Sequence, residues 1–314
     1  MPLEARAIVL DGPGRLGTAD LALDAPGRED IVVDVALSGI STGTEKLLVT
    51  GRMPPFPGFG YPLVPGYESV GTVVEAAPSG EGPAVGDTVF VPGARCFGAV
   101  RGLFGASASR LVLPAERAVA VPAALGDDAV LIALAATAYH ALQDRGAVAL
   151  PDAIIGHGVL GRLAARLAVA LGGAPLVHEV EGARMTGAVG YRVCRPGDDD
   201  ARHGRILDAS GAPGIVDTAV SRLARGGEIV LAGFYAEPVA FAFPPAFMAE
   251  ARLRIAAEFT PADLAAVTAM AADGRLSLDG LVTHRRPADE AVTAFETAFD
   301  DPACLKMTID WRAR

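Results

Sequence analysis

Two hydrophobic periods divide the chain. Through residue 119 the apolar positions fall in short runs rich in β-branched residues, closed by Gly or Pro: Ala5–Leu10, Ile31–Leu37, the run within Gly66–Glu75, and Val85–Phe90. Such runs predict strands, and the punctuation predicts turns, the first at Asp11–Gly14. Ser38–Lys46 reads as a polar loop, and residues 92–109, rich in Gly, Ala and Ser, as another. Met53–Pro65 carries five prolines, which stiffen it and exclude a central strand. The pattern predicts a β-rich domain over residues 1–119.

After Val121-Pro122 the period lengthens. Asp127–Gln143 is an apolar helical stretch. Asp152–Ile155 reads as a buried strand. In the following segment Leu163, Leu167, Ala168 and Leu171 recur at helical spacing, with Arg162 and Arg166 on another face. Pro175–Glu179, Arg205–Gly211 and Gly226–Gly233 read as further strands, with a helix over Gly214–Leu223. Strands alternating with helices predict an α/β fold with a doubly wound parallel sheet over residues 120–259. Thr260-Pro-Ala-Asp263 has the residues that open a helix: a capping side chain, Pro at the first position and an acid in the first turn. Pro287–Glu290 opens another. Leu305, Met307, Ile309 and Trp311 alternate, so the chain is predicted to end in a strand with one buried face. Residues 260–314 are expected to return to the first domain.

Between the strand Asp152–Ile155 and its helix, Gly156, Gly158 and Gly161 have the spacing G-x-G-x-x-G. Gly156 permits a tight turn, Gly158 lets a diphosphate approach the backbone, and Gly161 lets helix and strand pack closely. The amides of Gly158, Val159, Leu160 and Gly161 then open the helix, where an anion is favoured. Glu179 ends the second strand, roughly 20 residues on, where a carboxylate accepts hydrogen bonds from an adenosine ribose. It would repel a 2′-phosphate, which argues for NAD over NADP; Arg184 nearby argues the other way. Ligands of such sheets sit at the carboxyl ends of the strands, which adds Ala209 and Gly233 to the cofactor candidates.

Composition narrows the classes. With 314 residues and a net charge of −10, the chain can bury a large core and offers no basic stripe for nucleic acid. The apolar run Ala129–Tyr139 is too short to span a bilayer. Pro2, Glu4 and Arg6 break any secretory signal pattern. Cys96, Cys194 and Cys304 are isolated, which suggests reduced thiols, a cytoplasmic location and no metal pattern. His178, His203 and His284 have no carboxylate or Cys at ligand spacing. Peripheral contact with a membrane and a homodimer are both compatible with these features.

From end to end this layout resembles the medium-chain dehydrogenase/reductase superfamily. The likeness is carried by Gly66-Tyr-Glu-Ser-Val-Gly-Thr-Val-Val, Val85-Gly-Asp-Thr-Val, Thr137-Ala-Tyr-His-Ala, Gly156-His-Gly-Val-Leu-Gly and Gly226-Gly-Glu-Ile-Val-Leu-Ala-Gly. The resemblance implies a GroES-like catalytic domain, a Rossmann domain inserted after it, and nicotinamide near Thr137 and Gly233. Zinc members carry Cys where this chain has Ser41, His where it has Tyr67, and a third ligand near Ala133. None of these substitutes supplies thiolate or imidazole, and the four-cysteine structural lobe is missing, so no metal is expected. Ser38–Lys46, Thr50–Pro54, Phe59–Gly71 and Leu305–Trp311 are similar to the branch of dehydrogenases that act on 3-hydroxyethyl bacteriochlorophyllide a. That likeness implies NAD-dependent oxidation of a secondary alcohol on a tetrapyrrole to an acetyl group. Phe56, Phe59, Tyr61 and Tyr67 either wall a large flat ligand or pack as a proline loop.

Oxidising an alcohol without zinc requires a side chain to take the proton or stabilise the alkoxide. The candidates are Ser41, Thr44, Lys46, Tyr67 and Glu68, in a cleft expected between the two domains. Lys46 is suited to stabilising an alkoxide, Tyr67 to donating or accepting through its phenol, and Glu68 to holding Lys46 or accepting the proton. His140, in an apolar helix, reads as structural, and His157, inside the glycine turn, as non-catalytic. The same layout fits a zinc-free quinone or enoyl reductase, or a dinucleotide-binding module without chemistry.

Overall fold

The alternation at the N-terminus continues into a hairpin the sequence reading did not contain. β1 (Glu4–Gly12) turns at Pro13-Gly14 into β2 (Arg15–Ala22), with Ala5 opposite Leu21 and Ile8 opposite Thr18. β2 escapes the pattern because its residues are mostly half-exposed. β3 (Asp30–Gly39) follows, buried over most of its length. The predicted polar loop then becomes α1 (Thr44–Thr50), which ends at Gly51 with φ +69, a left-handed turn that favours glycine. Within the proline segment, β4 (Leu63–Val64) pairs with β1 and with β7 (Arg101–Gly102), so two residues of that segment do occupy an inner position. β5 (Ser69–Glu75), β6 (Thr88–Val91), β8 (Arg110–Pro114) and β9 (Val119–Ala120) complete this part.

The described residues are 3–55, 57–235 and 237–312 of a computed structural model; Phe56 lies outside them. The predicted helix 127–143 is shorter than expected. A 3₁₀ stretch (Ala123–Leu131) kinked at Gly126 precedes α2 (Ile132–Ala141), and a small hairpin, β10 (Gln143–Asp144) with β11 (Ala147–Val148), follows. Next come β12 (Ala153–Ile155), α3 (Val159–Ala170), β13 (Leu176–His178), β14 (Arg192–Cys194), β15 (His203–Asp208), α4 (Ile215–Ser221), β16 (Leu223–Leu231), α5 (Phe243–Met248) and β17 (Arg252–Ile255). These six strands form one parallel sheet in the order β14-β13-β12-β15-β16-β17. The order reverses beside β12, the strand that carries the glycine turn, which is the topological switch where such sheets bind ligands. α6 (Pro261–Ala272) has the expected capping box between Thr260 and Asp263.

The chain then forms β18 (His284–Pro287), α7 (Ala291–Asp300) and β19 (Met307–Asp310). β19 runs antiparallel to β3, with Thr308 opposite Gly39 and Ile309 opposite Ser38. The resulting sheet has the order β18-β19-β3-β5-β6-β9, and β8 also pairs with β3. Two compact units result: Met1–Ala133 with Asp279–Arg314, and Leu134–Leu278. Their boundaries fall later in the chain than 119 and 259, because α6 packs with the parallel sheet's unit, where His140 Nδ1 lies 2.8 Å from Asp263 Oδ2. β19 departs from the sequence reading in one respect that matters for the site. Met307 and Ile309 are buried as expected, but Lys306 and Thr308 on the other face are buried too.

Candidate functional site

In the first unit the end of β3 gathers the polar side chains. Gly39 N donates to Glu68 O at 2.7 Å, and Ile40 N donates to Met307 O at 3.0 Å, so β3 holds Glu68 on one side and β19 on the other. Lys306 and Glu68 meet there as an ion pair, and the ammonium also donates to Ile40 O at 2.9 Å. Gly39 leaves room for both: a Cβ on it would collide with the Glu68 carboxylate and sit 2.8 Å from Lys306 Cε. The expected partner of Glu68, Lys46, is engaged elsewhere. Its ammonium donates to Phe299 O at 2.9 Å, lies 3.7 Å from Asp300 and caps the C-terminal end of α7, where a cation is favoured. Lys46 therefore ties α1 to α7, and Lys306 takes the role the sequence reading gave it beside Glu68.

Tyr67 donates its hydroxyl hydrogen to Ser41 Oγ at 2.8 Å, and Thr44 N points at the same oxygen at 3.4 Å. The Tyr67 ring packs edge-on against Phe104. Burial and the neighbouring Glu68 and Glu45 carboxyls push the phenol's pKa up, while hydrogen bonds with Ser41 and Thr44 pull it down. Ser41, Thr44, Tyr67 and Glu68 are thus brought together. Phe59 and Tyr61 instead pack on the cluster around Leu48, Met53 and Leu63, with the Tyr61 hydroxyl donating to Leu48 O at 2.6 Å, as in a packed proline loop.

One residue here escaped the sequence reading altogether. Glu45, one position before Lys46, is 1% exposed, and neither of its carboxylate oxygens has a side-chain hydrogen-bond partner. Burial, then the charge of Glu68, push its pKa up to about 8, against the opposing pull of Lys306. On sequence alone it reads as an ordinary acid in the first turn of a helix. Burial likewise pushes the Glu68 carboxyl up, and Lys306 pulls it back.

These groups do not suit zinc. Two hydroxyls replace the soft ligands, Glu68 is already neutralised by an ammonium, and Ala133 is a buried methyl. The metal-compatible cluster among the described residues lies in the other unit and corrects the expectation for the histidines. Asp199, in the connection from β14 to β15, places Oδ2 2.7 Å from His178 Nε2 and 2.8 Å from His203 Nε2. Asp199 stands four residues before His203, a spacing the sequence reading passed over, and chain folding brings His178 to the pair. The three donors satisfy one another, and the Arg222 guanidinium lies 3.8 Å from the same oxygen, so they close as a hydrogen-bond network.

In the second unit the glycine turn has the geometry that a dinucleotide needs. Gly156 has φ +97, and a Cβ on Gly161 would strike Gly156 O. Gly158 caps α3, with Arg184 Nη1 3.7 Å from where its Cβ would be. The first-turn amides of Val159, Leu160 and Gly161 have no intrahelical acceptor, so the cradle fits a diphosphate. Glu179 is buried at its strand end. Its Oε1 accepts from Val180 N and Glu181 N, both at 2.7 Å, and its Oε2 accepts from His157 N at 2.7 Å. Three of roughly four acceptor sites are occupied, and one on Oε2 remains. Arg162 and Arg166, which share a face apart from the apolar positions, are buried as well. Arg162 donates to His157 O and Thr186 O, and Arg166 to Ser277 O. His157 bonds Arg184 O and the Tyr191 hydroxyl, which fits a structural role. At the end of β15, Asp208 accepts from Ser210 N, Gly211 N and the Tyr235 hydroxyl, which fixes the turn through Ala209 close to Gly233. Thr137 lies on α2.

Comparison with known proteins bears on the family and the fold. Residues 27–123 match the alcohol dehydrogenase GroES-like domain. The chain is 58% identical to a protein of Rhodobacter capsulatus named 2-desacetyl-2-hydroxyethyl bacteriochlorophyllide A dehydrogenase, over 99% of both chains. In fold it is similar to an Escherichia coli alcohol dehydrogenase complexed with NADH (TM-score 0.83, 20% identity, 98% of this chain and 99% of that one). It is also similar to a Sinorhizobium meliloti dehydrogenase bound to NADP (TM-score 0.80, 20% identity, 98% and 99%).

Proposed function

We propose, on the premise that the chain belongs to the family of 2-desacetyl-2-hydroxyethyl bacteriochlorophyllide A dehydrogenases, that it oxidises the 3-hydroxyethyl group of a bacteriochlorophyllide precursor to 3-acetyl, with NAD and without zinc. The single observation that carries the chemistry is the Tyr67–Ser41 hydroxyl pair, backed by the Lys306–Glu68 ion pair, where zinc members place their ligands. The bound nicotinamide supplies the hydride acceptor for the carbinol carbon. The glycine turn before α3 would hold the diphosphate, and Thr137, Ala209 and Gly233 would line the nicotinamide end.

The remaining acceptor site on Glu179 favours a ribose hydroxyl and disfavours a 2′-phosphate, which supports NAD. Tyr67 and Ser41 are the groups proposed to meet the alcohol, with Thr44 beside them. Their hydroxyls would hydrogen-bond the developing alkoxide and carry its proton away. Glu68, held by Lys306, keeps that ammonium's positive charge fixed behind them. A homodimer is the proposed assembly. β17 is an edge strand with Leu253 and Ile255 exposed, and Phe243, Phe247 and Met248 of α5 are exposed beside it. No helix of the described residues is long and apolar enough to cross a membrane. The test is conversion of the hydroxyethyl macrocycle to the acetyl product by the purified protein with NAD, read from the pigment's absorption.

A further inference from the structure

We infer that Arg162 is a positioning residue for the cofactor's diphosphate: it fixes the glycine turn from behind and holds a positive charge beneath it. The inference rests on the dinucleotide site proposed above and adds a residue to it. Arg162 is 5% exposed. Its Nε donates to His157 O at 3.0 Å, and its Nη2 donates to Thr186 O at 2.7 Å and to Arg184 O at 3.3 Å. These acceptors are all carbonyls, and an arginine keeps its proton when buried. The guanidinium has a place made for it: a Cβ on Gly187, where φ is +84, would collide with Nη1. The carboxylate facing it, Glu179, is bound to the amides of His157, Val180 and Glu181, while Arg166 and Arg184 add charge of the same sign.

The contact with His157 O sets the direction of one peptide. The bond between His157 and Gly158 is trans, and in a trans peptide C=O and N–H point opposite ways. His157 O is turned onto Arg162, so Gly158 N–H is turned away from the guanidinium, beside the first-turn amides of α3. The peptide before it is held as well, since His157 N donates to Glu179 Oε2 at 2.7 Å. Arg162 N closes the first turn of α3 onto Gly158 O at 2.9 Å, which ties the same residue to the turn a second time. A diphosphate therefore meets amides already aimed and ordered. The charge acts in the same sense. Buried among carbonyls, the guanidinium is little screened by salt, and it adds to the helix dipole in favouring an anion. The His157 ring adds no charge of its own. Its Nδ1 lies 2.6 Å from Arg184 O and so carries the hydrogen, its Nε2 meets the Tyr191 hydroxyl at 2.8 Å, and burial pushes its pKa down.

The test measures dissociation constants of ADP and of adenosine, each by displacement of NADH fluorescence, for wild type, Arg162→Met and Arg162→Lys. ADP carries the diphosphate and adenosine does not, so the ratio of the two constants reports on the diphosphate and cancels a general loss of structure. Arg162→Met should weaken ADP by about tenfold or more and leave adenosine within about twofold. Arg162→Lys keeps the charge without the planar fork, and its ratio should stay within about threefold of wild type. Equal weakening of both ligands in Arg162→Met, or no change in either, would overturn the inference. Should Arg162→Met fail to fold, Arg162→Lys decides: a ratio near that of wild type supports the inference, and one that falls by about tenfold overturns it. Wild type that binds neither NADH nor ADP would overturn the dinucleotide reading and the inference with it. Wild-type binding that Arg162→Met leaves untouched would overturn the inference alone.

Discussion

Lys306 and Glu68 form an ion pair with almost no solvent access, at 2% and 1% side-chain exposure. Lys306 immediately precedes the C-terminal strand and Glu68 immediately precedes β5, so the pair joins the chain's return to its first unit. Removing one member leaves a buried charge unpaired, which costs far more than the pair itself contributes.

Lys306→Met should therefore lower the unfolding free energy by about 3–5 kcal/mol, and adding Glu68→Gln should recover much of that loss. Denaturant unfolding of the two variants checks this. Equal stability of wild type, single and double variants would show that the pair carries no charge.

Glu45 makes stability depend on pH with a definite sign. Its folded pKa of about 8 lies above the ordinary 4.5 of the unfolded chain, so between those values the folded state holds the extra proton. The contribution of Glu45 is present below about pH 4.5 and is lost as pH rises through about 8. The denaturation midpoint of Glu45→Gln relative to wild type should rise between pH 6 and pH 9. A constant difference over that range would contradict the raised pKa.

Most of the fold was legible because its signals are local. The glycine turn, the capping box at Thr260 and the alternation at Met307, Ile309 and Trp311 each act within a few residues. The site was legible only in part. Ser41, Thr44, Tyr67 and Glu68 lie close together, as their loops suggested. Lys306 was missed because alternation assigns its face of β19 to solvent, whereas that face meets buried Glu68. Glu45 was missed because burial of a lone acid leaves no pattern in sequence. His178 joins the local pair Asp199 and His203 only through the parallel sheet and its connections. Arg162 and Arg166 share a helix face apart from the apolar one, yet they are buried and bind carbonyls of the chain that follows β13 and α6.

Cofactor choice should rest on Glu179. Glu179→Ala removes the proposed ribose acceptor and also releases His157 N, so NAD binding should weaken by roughly 1–3 kcal/mol. The ratio of NADP to NAD dissociation constants should fall with it. Fluorescence titration of both reduced dinucleotides against wild type and variant measures this. A wild type that binds NADPH more tightly than NADH would contradict the reading.

The most direct test of metal-free alcohol oxidation is one spectroscopic assay. The protein is treated exhaustively with a chelator, its zinc content is measured, and it is mixed with NAD and the 3-hydroxyethyl macrocycle. The expected result is undiminished formation of the acetyl pigment, one NADH for each acetyl group, by protein holding no zinc. Loss of turnover on chelation, restored by adding zinc, would contradict the assignment of the chemistry to Tyr67 and Ser41 with the Lys306–Glu68 pair behind them.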